Sequence, residues 1–228
     1  MRPCSTNTRS SSRPWRSVAA VLAWVLVGGL HAEWNIADIS RRAEALYGPL
    51  GAGRERIEAW QAVLDKQAGR SVQEQLRAVN SFFNQQLQFR DDLSLWQAAD
   101  YWATPVESLR RGAGDCEDFA IAKYFSLRRL GVPSDKLRIT YVKALRLNQP
   151  HMVLTYYASP EAIPLVLDNL FADIRPANQR TDLLPVYAFN GEGLWSGSKR
   201  VGDSKRLSRW QDLMSKMRAE GFPADWAQ

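Results

Sequence analysis

The pattern of apolar and polar positions divides the chain into a helical first part and a strand-rich second part. Apolar side chains recur at helical spacing in three successive segments, and Gly69-Arg70-Ser71 separates the second from the third. The residues that mark these predicted helices are Ile36, Ile39, Ala43 and Leu46, then Ile57, Trp60 and Leu64, then Val72, Leu76, Val79 and Phe83. Ser71 followed by Glu74 predicts a capping box at the start of the third helix.

The segment from Gln88 to Ala103 has no clean period and is predicted to be a loop that packs on the domain and walls a cleft. A helix start follows it directly. Thr104 is a good N-cap, Pro105 suits the first helical position, and Glu107 completes a capping box. This short helix is predicted to run to about Arg110 and to lead into a glycine-rich loop.

A central buried helix is predicted after that loop. Between Phe119 and Leu127 only Lys123 and Ser126 are polar, and a helix that is apolar almost all round lies inside its domain. Gly131, with a proline two residues later, ends it. The stretch Gly114-Asp115-Cys116-Glu117-Asp118 therefore places a cysteine at the head of a central helix.

The second part of the chain favours strands, because short runs of it are rich in β-branched and aromatic residues. The predicted strands are Leu137–Val142, His151–Tyr157, Leu165–Asp168 and Pro185–Phe189. Asn190-Gly191 predicts a two-residue hairpin turn into Leu194-Trp195. A loose basic stretch, Gly197–Lys205, precedes a last amphipathic helix marked by Leu207, Trp210, Leu213 and Met217 and ended by Gly221. Helices first and strands afterwards indicate an α+β fold.

The net charge of +6 does not indicate a nucleic-acid-binding protein. Four arginines lie within the first sixteen residues, and removing them from the 30 basic side chains leaves 26 against 24 acidic ones, a net charge of +2. These arginines precede the uncharged run Val18–Leu30, which is followed by Ala32. We therefore predict a secretory signal peptide over residues 1–32, cleaved after Ala32, and one domain over residues 33–228. A retained membrane anchor is the weaker alternative, because about 20 apolar residues are needed to span a membrane.

Export changes the meaning of the cysteines. Cys4 and His31 leave with the signal peptide, so that Cys116 and His151 become the only residues of their types. A lone thiol in an oxidising compartment forms no internal disulfide and is exposed to oxidation. Its alternative role is that of a small buried hydrophobe. Its position at a helix N-terminus, where the dipole favours a thiolate, favours a nucleophile instead.

Cys116, His151 and Asp168 together predict thiol acyl-transfer chemistry. The thiolate would attack an acyl carbon, the imidazole would hold the proton, and the carboxylate would fix the imidazole tautomer. Singly, His151 also fits a structural histidine, and Asp168 also fits the beginning of a turn. A structural zinc site is disfavoured, because one cysteine and one histidine are too few ligands.

The acids Asp115, Glu117 and Asp118 surround the thiol. As an N-cap and first-turn acids they suit a helix start, but their charges oppose formation of a thiolate. Either protonated His151 or a hard cation such as calcium, bound by carboxylates and loop carbonyls, would offset them.

The residues 114–120, His151-Met152-Val153-Leu154 and Leu165-Val166-Leu167-Asp168-Asn169 resemble the bacterial transglutaminase-like cysteine proteinases. Phe189-Asn190-Gly191 and Gly193-Leu194-Trp195 also resemble that family, and the likeness spans roughly Trp34 to Trp210. The order Cys, His, Asp is that of the transglutaminase/papain-like superfamily. The resemblance implies a papain/transglutaminase-like fold, in which the central helix packs on an antiparallel sheet.

The resemblance also implies roles and partners. It implies a catalytic triad of Cys116, His151 and Asp168, and calcium bound at Asp115, Glu117 and Asp118. The implied enzyme is a periplasmic endopeptidase that cuts the N-terminal region of a large LapA-like surface adhesin. A LapD-like inner-membrane receptor for cyclic-di-GMP would regulate it, with no nucleic-acid partner and no membrane insertion after signal cleavage.

Two other classes remain open. A transglutaminase or a peptidoglycan amidase would use the same triad on a different acyl donor. A degenerate binding module would keep the fold without the chemistry, and the intact Cys, His and Asp set counts against it. The second oxyanion donor beside the Cys116 backbone N–H is open as well, with Trp102 or a neighbouring residue as the candidate.

Overall fold

The computed structural model describes Met1 and residues 34–223. The predicted signal peptide and its cleavage site after Ala32 lie outside this part of the chain. Among the helices of the described residues, none combines the length and the apolar character that crossing a membrane requires.

Seven α-helices are present in residues 34–223, and the three predicted from the first apolar pattern are confirmed. The helices are α1 (Ile36–Tyr47), α2 (Gly53–Gln67), α3 (Val72–Gln86), α4 (Asp92–Trp96), α5 (Pro105–Arg111), α6 (Cys116–Arg129) and α7 (Ser208–Ala219). Both predicted capping boxes form: Ser71 with Glu74 opens α3, and Thr104 with Glu107 opens α5. Local sequence therefore sets where these helices begin.

Nine strands accompany the helices in the described residues. They are β1 (Gln88–Phe89), β2 (Ala113–Gly114), β3 (Leu137–Ala144), β4 (Gln149–Tyr156), β5 (Leu165–Leu167), β6 (Arg175–Pro176), β7 (Leu183–Phe189), β8 (Leu194–Ser196) and β9 (Lys199–Gly202). The seven from β3 onwards form one sheet in the order β6-β5-β4-β3-β7-β8-β9, and every neighbouring pair is antiparallel. The predicted α+β class is confirmed.

Helix α6 is the centre of the core, as its apolar sequence predicts. All residues from Asp118 to Leu127 are buried, and the helix packs on β4 on one side and α3 on the other. Trp210 of α7 covers it, with its ring stacked on that of Phe125 at 5.6 Å between centroids. The indole N–H of Trp60 donates to Ser126 Oγ (2.8 Å), which satisfies one of the two polar side chains noted between Phe119 and Leu127.

The segment 88–103 is not the unbroken loop that its sequence predicts. It begins with β1, which pairs in parallel with β2 of the glycine loop, and it contains the one-turn helix α4. Asp91 caps α4 by accepting from the Ser94 N–H (2.9 Å). The prediction that this segment walls a cleft is confirmed, because Phe89, Asp92 and Trp102 border the main cleft.

The predicted two-residue turn at Asn190-Gly191 is wrong. Neither residue has the positive φ that such a turn requires, and the loop between β7 and β8 has four residues, 190–193. The Asn190 amide is buried instead, donating to the carbonyls of Ser134 (2.8 Å) and Leu137 (3.0 Å). A tertiary contact thus overrides the local turn preference. The stretch predicted to be loose and basic, Gly197–Lys205, contains the edge strand β9 at Lys199–Gly202.

Candidate active site

A cleft of about 970 Å³ opens between the N-terminus of α6, the 88–103 segment, the sheet and the start of α7. Its border includes Cys116, His151, Trp102, Tyr187, Asp92 and Arg209. Two stacked aromatic pairs stiffen one wall: Tyr141 on Tyr187 at 5.0 Å, and Trp102 on Phe189 at 5.3 Å between centroids. The structure therefore brings Cys116 and His151, which lie 35 residues apart in the sequence, to one cavity.

Cys116 is the first residue of α6, as predicted, and the preceding glycines explain how it reaches this position. Gly112 ends α5 with a left-handed φ of 66°, which turns the chain towards the cleft. At Gly114 an added Cβ would lie 2.7 Å from both Cβ and Oδ2 of Asp118. Only glycine allows the loop to pass this close to the first turn of α6.

The acids around Cys116 oppose its ionisation. Burial, followed by the charges of Glu117 and Asp115, raises the pKa of the Cys116 thiol well above its usual range. The sulfur lies 3.1 Å from Glu117 Oε2, to which the thiol donates. A hydrogen bond from the Met152 backbone acts in the opposite direction and lowers the thiol pKa. The concern raised by the sequence, that these carboxylates disfavour a thiolate, is thus borne out by the geometry.

His151 and Asp168 form a buried pair. Nε2 of His151 lies 2.8 Å from Oδ1 of Asp168, and the side chains are 4% and 0% exposed. With Nε2 engaged by the carboxylate, Nδ1 is the ring nitrogen that remains for proton exchange with a thiol. Asp168 lies just past the end of β5, which pairs with β4, the strand that carries His151. Sheet pairing is therefore what joins the two residues.

Asp168 is held by more groups than the sequence predicts. Burial would raise its pKa, but hydrogen bonds from His151, the Leu170 backbone and Arg180, together with the charge of His151, hold that pKa at about 2. Its backbone carbonyl accepts from Asn84 Nδ2 (2.8 Å) and Lys123 Nζ (3.1 Å). Lys123 stood out in the sequence as a polar residue in an apolar helix. Nothing in the sequence pattern singled out Arg180.

The three predicted calcium ligands lie together at the start of α6, but in different surroundings. Asp115 and Glu117 are half-buried and border the cleft. Asp118 is fully buried, and its carboxylate accepts from the backbone N–H of Ala103 (2.7 Å) and of Asp115 (3.4 Å). Asp92 of α4, which the sequence did not suggest, brings a carboxylate oxygen within 4.8 Å of those of Asp115 and Asp118.

These residues fit a hard divalent cation. Burial and the neighbouring acids raise the pKa of Asp115 to about 10, and burial raises that of Asp92 to about 6. Among the described residues, Oδ1 of Asp115 and Oδ1 of Asp92 are buried without a hydrogen-bond partner. Crowded carboxylate oxygens with unused lone pairs are what calcium prefers as ligands.

Comparison with known proteins places this geometry in a family. The family described as bacterial transglutaminase-like cysteine proteinase matches residues 56–184, more than half of the chain and inclusive of Cys116, His151 and Asp168. The chain belongs to this family. As a bacterial transglutaminase-like cysteine proteinase it has both the fold and the class of activity that the sequence resemblance implied.

Solved structures agree with the family assignment. The chain is 47% identical to Legionella pneumophila LapG, with a TM-score of 0.70 over 81% of this chain and 98% of LapG. An EGTA-treated LapG structure gives a TM-score of 0.71, and a calcium-bound one gives 0.69 over 80% of this chain. The chain is therefore LapG-like, in agreement with the family resemblance found in the sequence. A comparison with curated proteins found no match.

Proposed function

We propose that this chain is a calcium-dependent periplasmic cysteine endopeptidase that uses Cys116, His151 and Asp168 as its catalytic triad. One observation carries the proposal: the Cys116 thiol at the start of α6 borders the same cleft as His151, and Nε2 of His151 is hydrogen-bonded to buried Asp168. A nucleophile, a base and a group that orients the base are the parts that thiol acyl transfer requires.

The first half of the proposed reaction forms a thioester. The Cys116 proton passes to Nδ1 of His151, and the sulfur attacks the carbonyl carbon of the scissile peptide bond. The Cys116 backbone N–H at the helix N-terminus donates to the developing oxyanion. The imidazolium then protonates the leaving amine, the C–N bond breaks, and the acyl group stays on sulfur. Asp168 accepts from Nε2–H throughout, so that Nδ1 is the nitrogen that takes up and releases the proton.

The second half releases the acyl group. Water loses a proton to His151 as its oxygen attacks the thioester carbon, and the C–S bond breaks. The proton on His151 returns to sulfur, which regenerates the thiol and leaves a new carboxyl terminus. An amine in place of water would give transamidation, so the same groups also support the alternative, a transglutaminase or peptidoglycan amidase.

Asp115, Glu117 and Asp118 would hold calcium, with Asp92 beside them. Positive charge at this cluster offsets the carboxylates that raise the Cys116 pKa, which lowers the cost of forming a thiolate. The calcium-bound and EGTA-treated structures of the 47% identical LapG support this part of the proposal.

The proposed substrate is the N-terminal region of a large LapA-like surface adhesin, whose release would promote biofilm dispersal. The proposed regulator is a LapD-like inner-membrane receptor that sequesters the protease when cyclic-di-GMP is high. Support comes from the family membership and from the volume of the cleft, about 970 Å³, at which Cys116 and His151 lie.

The test is incubation of the purified protein with an adhesin N-terminal fragment, with added calcium or with EGTA. We expect cleavage with calcium, little with EGTA, and none for Cys116→Ala. Cleavage that survives Cys116→Ala would exclude the nucleophile assignment, and cleavage indifferent to EGTA would exclude the calcium role. Incorporation of an amine into glutamine substrates without peptide cleavage would favour the transglutaminase alternative.

A further inference from the structure

We infer that Arg180 is a positioning residue that fixes the Asp168 carboxylate and, through it, the tautomer of His151. The inference rests on the proposed triad and adds a member that the sequence did not suggest. Arg180 lies in the loop between a short 3₁₀ turn (Ala177–Gln179) and β7, 12 residues after Asp168 in the sequence.

Contacts on both sides hold the Arg180 guanidinium. Its Nη2 donates to Asp168 Oδ2 (2.7 Å) and to Asp182 Oδ2 (2.9 Å), and its Nε donates to Asp182 Oδ1 (3.0 Å). The ring of Phe171 covers it at 4.4 Å from the centroid. The Arg180 side chain is 2% exposed and that of Asp182 is 15% exposed. Asp182 therefore holds the guanidinium on its more exposed side, and Asp168 accepts a hydrogen bond from it on the buried side.

The two oxygens of Asp168 accept hydrogen bonds from different groups. Oδ2 accepts from Arg180, and Oδ1 accepts from His151 Nε2 (2.8 Å) and from the Leu170 N–H (3.1 Å). A carboxylate with both oxygens engaged from opposite sides cannot rotate without breaking a charge-assisted hydrogen bond. The imidazole then has one direction in which to donate Nε2–H, which leaves Nδ1 as the acceptor.

The charge of Arg180 stabilises the Asp168 carboxylate, because burying a carboxylate without a neighbouring cation costs free energy. The ionisable groups that contact Asp168 or Arg180 include Asp182 from the same loop, Lys123 from α6 and His151 from β4. Lys123 and Asn84 hold only the backbone carbonyl of Asp168. Arg180 is thus the cation that bonds to the carboxylate itself while His151 is neutral.

If Arg180 positions Asp168, its removal should change the tautomer of His151, which removal of a purely structural arginine would not do. In the wild type, neutral His151 should be almost entirely the Nε2–H tautomer. In Arg180→Met the carboxylate is free to turn, so both tautomers should be populated and the fraction able to accept the thiol proton should fall. We expect kcat to fall about tenfold or more, short of the ~10⁴-fold loss typical of a wrong tautomer, with KM changed little.

The test is ¹⁵N NMR of the imidazole above its titration range, in the full chain carrying His31→Gln so that His151 gives the one imidazole signal. The matched control is Arg128→Met, which removes a part-buried arginine that bonds to the Val132 carbonyl (3.2 Å) at the far end of α6. We expect a mixed tautomer for Arg180→Met and a wild-type one for the control. Wild-type tautomer and kcat in Arg180→Met would overturn the inference.

Two milder variants cover the case in which Arg180→Met does not fold. Arg180→Lys keeps the charge but not the fork, and should rescue the tautomer and part of kcat. Asp182→Asn loosens the outer anchor and should give a smaller change in the same direction. If both match the wild type, the inference fails. The two proposals can also fail separately. If the tautomer depends on Arg180 but the protein cleaves no adhesin fragment, the proposed function is wrong and the inference about Arg180 is supported.

Discussion

The Nε2 atom of His151 lies 2.8 Å from Oδ1 of Asp168, and the two side chains are 4% and 0% exposed. The pair joins β4 to the end of β5 and leaves Nδ1 of the imidazole for the cleft that Cys116 borders. Because Nε2 is bonded to Asp168, the imidazole can exchange a proton only through Nδ1. This pair therefore determines which ring nitrogen serves Cys116 in the proposed reaction.

Asp168→Asn should lower kcat by about 10³ to 10⁴-fold, because an amide in place of the carboxylate favours the wrong imidazole tautomer. The measurement is steady-state cleavage of an adhesin fragment at saturating substrate with calcium. Asp173→Asn is the matched control, since Asp173 is an exposed acid that pairs only loosely with Arg175 (3.6 Å). Loss of less than tenfold in Asp168→Asn would contradict the triad.

Calcium should speed alkylation of Cys116 at pH 7. Burial and the charges of Glu117 and Asp115 raise the thiol pKa, and positive charge at those acids lowers it again. Because each pKa unit changes the thiolate fraction about tenfold, we expect iodoacetamide to react at least about tenfold faster with calcium than with EGTA. The full chain should carry Cys4→Ser so that Cys116 is the one thiol. Equal rates in the two buffers would show that the acids do not control the thiol.

Gly114→Ala should destabilise the fold by about 1–3 kcal/mol, the usual cost of overpacking. The new Cβ would lie 2.7 Å from the buried Asp118 side chain, which hydrogen bonds hold in place. Urea unfolding measures the change. Gly202→Ala is the control, because its nearest neighbour is Leu194 Cδ2 at 4.0 Å and its backbone needs no glycine. A loss as small as that of the control would mean that the loop can shift away from α6.

Glu220→Gln should flatten the pH dependence of stability. Burial, with the charge of Glu107, raises the Glu220 pKa from 4.5 to about 8, against the lowering effect of hydrogen bonds from Thr104 and Tyr47. The folded state keeps this proton between those pH values and the unfolded state releases it. Stability therefore falls as pH rises through that window, by up to about 1.4 kcal/mol per pH unit.

Urea unfolding at pH 5 and pH 7.5 measures that slope. Glu44→Gln is the control, because Glu44 is a partly exposed acid on α1 that pairs with Arg54. Wild type and Glu220→Gln with parallel pH curves would show that Glu220 ionises in the folded protein as it does in the unfolded chain.

Some of the site follows from short-range rules. Thr104 with Glu107 opens α5, glycines break the chain, and apolar residues extend from Phe119, so the position of Cys116 at a helix head was predictable. Acids next to the cysteine in the sequence stay next to it in the fold, and their repulsion was predictable as well. Each of these features depends on residues within about one helical turn of each other.

Other features depend on residues far apart in the sequence. Asn190 was predicted to form a tight turn, but its amide meets the Ser134 and Leu137 carbonyls, and those long-range hydrogen bonds decide the loop. Asp92 joins Asp115 because β1 pairs with the glycine loop. Neither contact leaves a periodic or compositional signal.

By itself the sequence determined the helix starts, the apolar central helix, the strand-rich second half and the thiol with its flanking acids. These depend on local hydrogen bonding, backbone preference and hydrophobic periodicity, which act over a few residues. Only the tertiary structure decided that Arg180 reaches Asp168, that Asp92 meets Asp115, and that His151 and Cys116 share a cleft. Strand pairing and loop packing bring those charges together, and the free energy that selects such an arrangement belongs to the whole fold rather than to any segment.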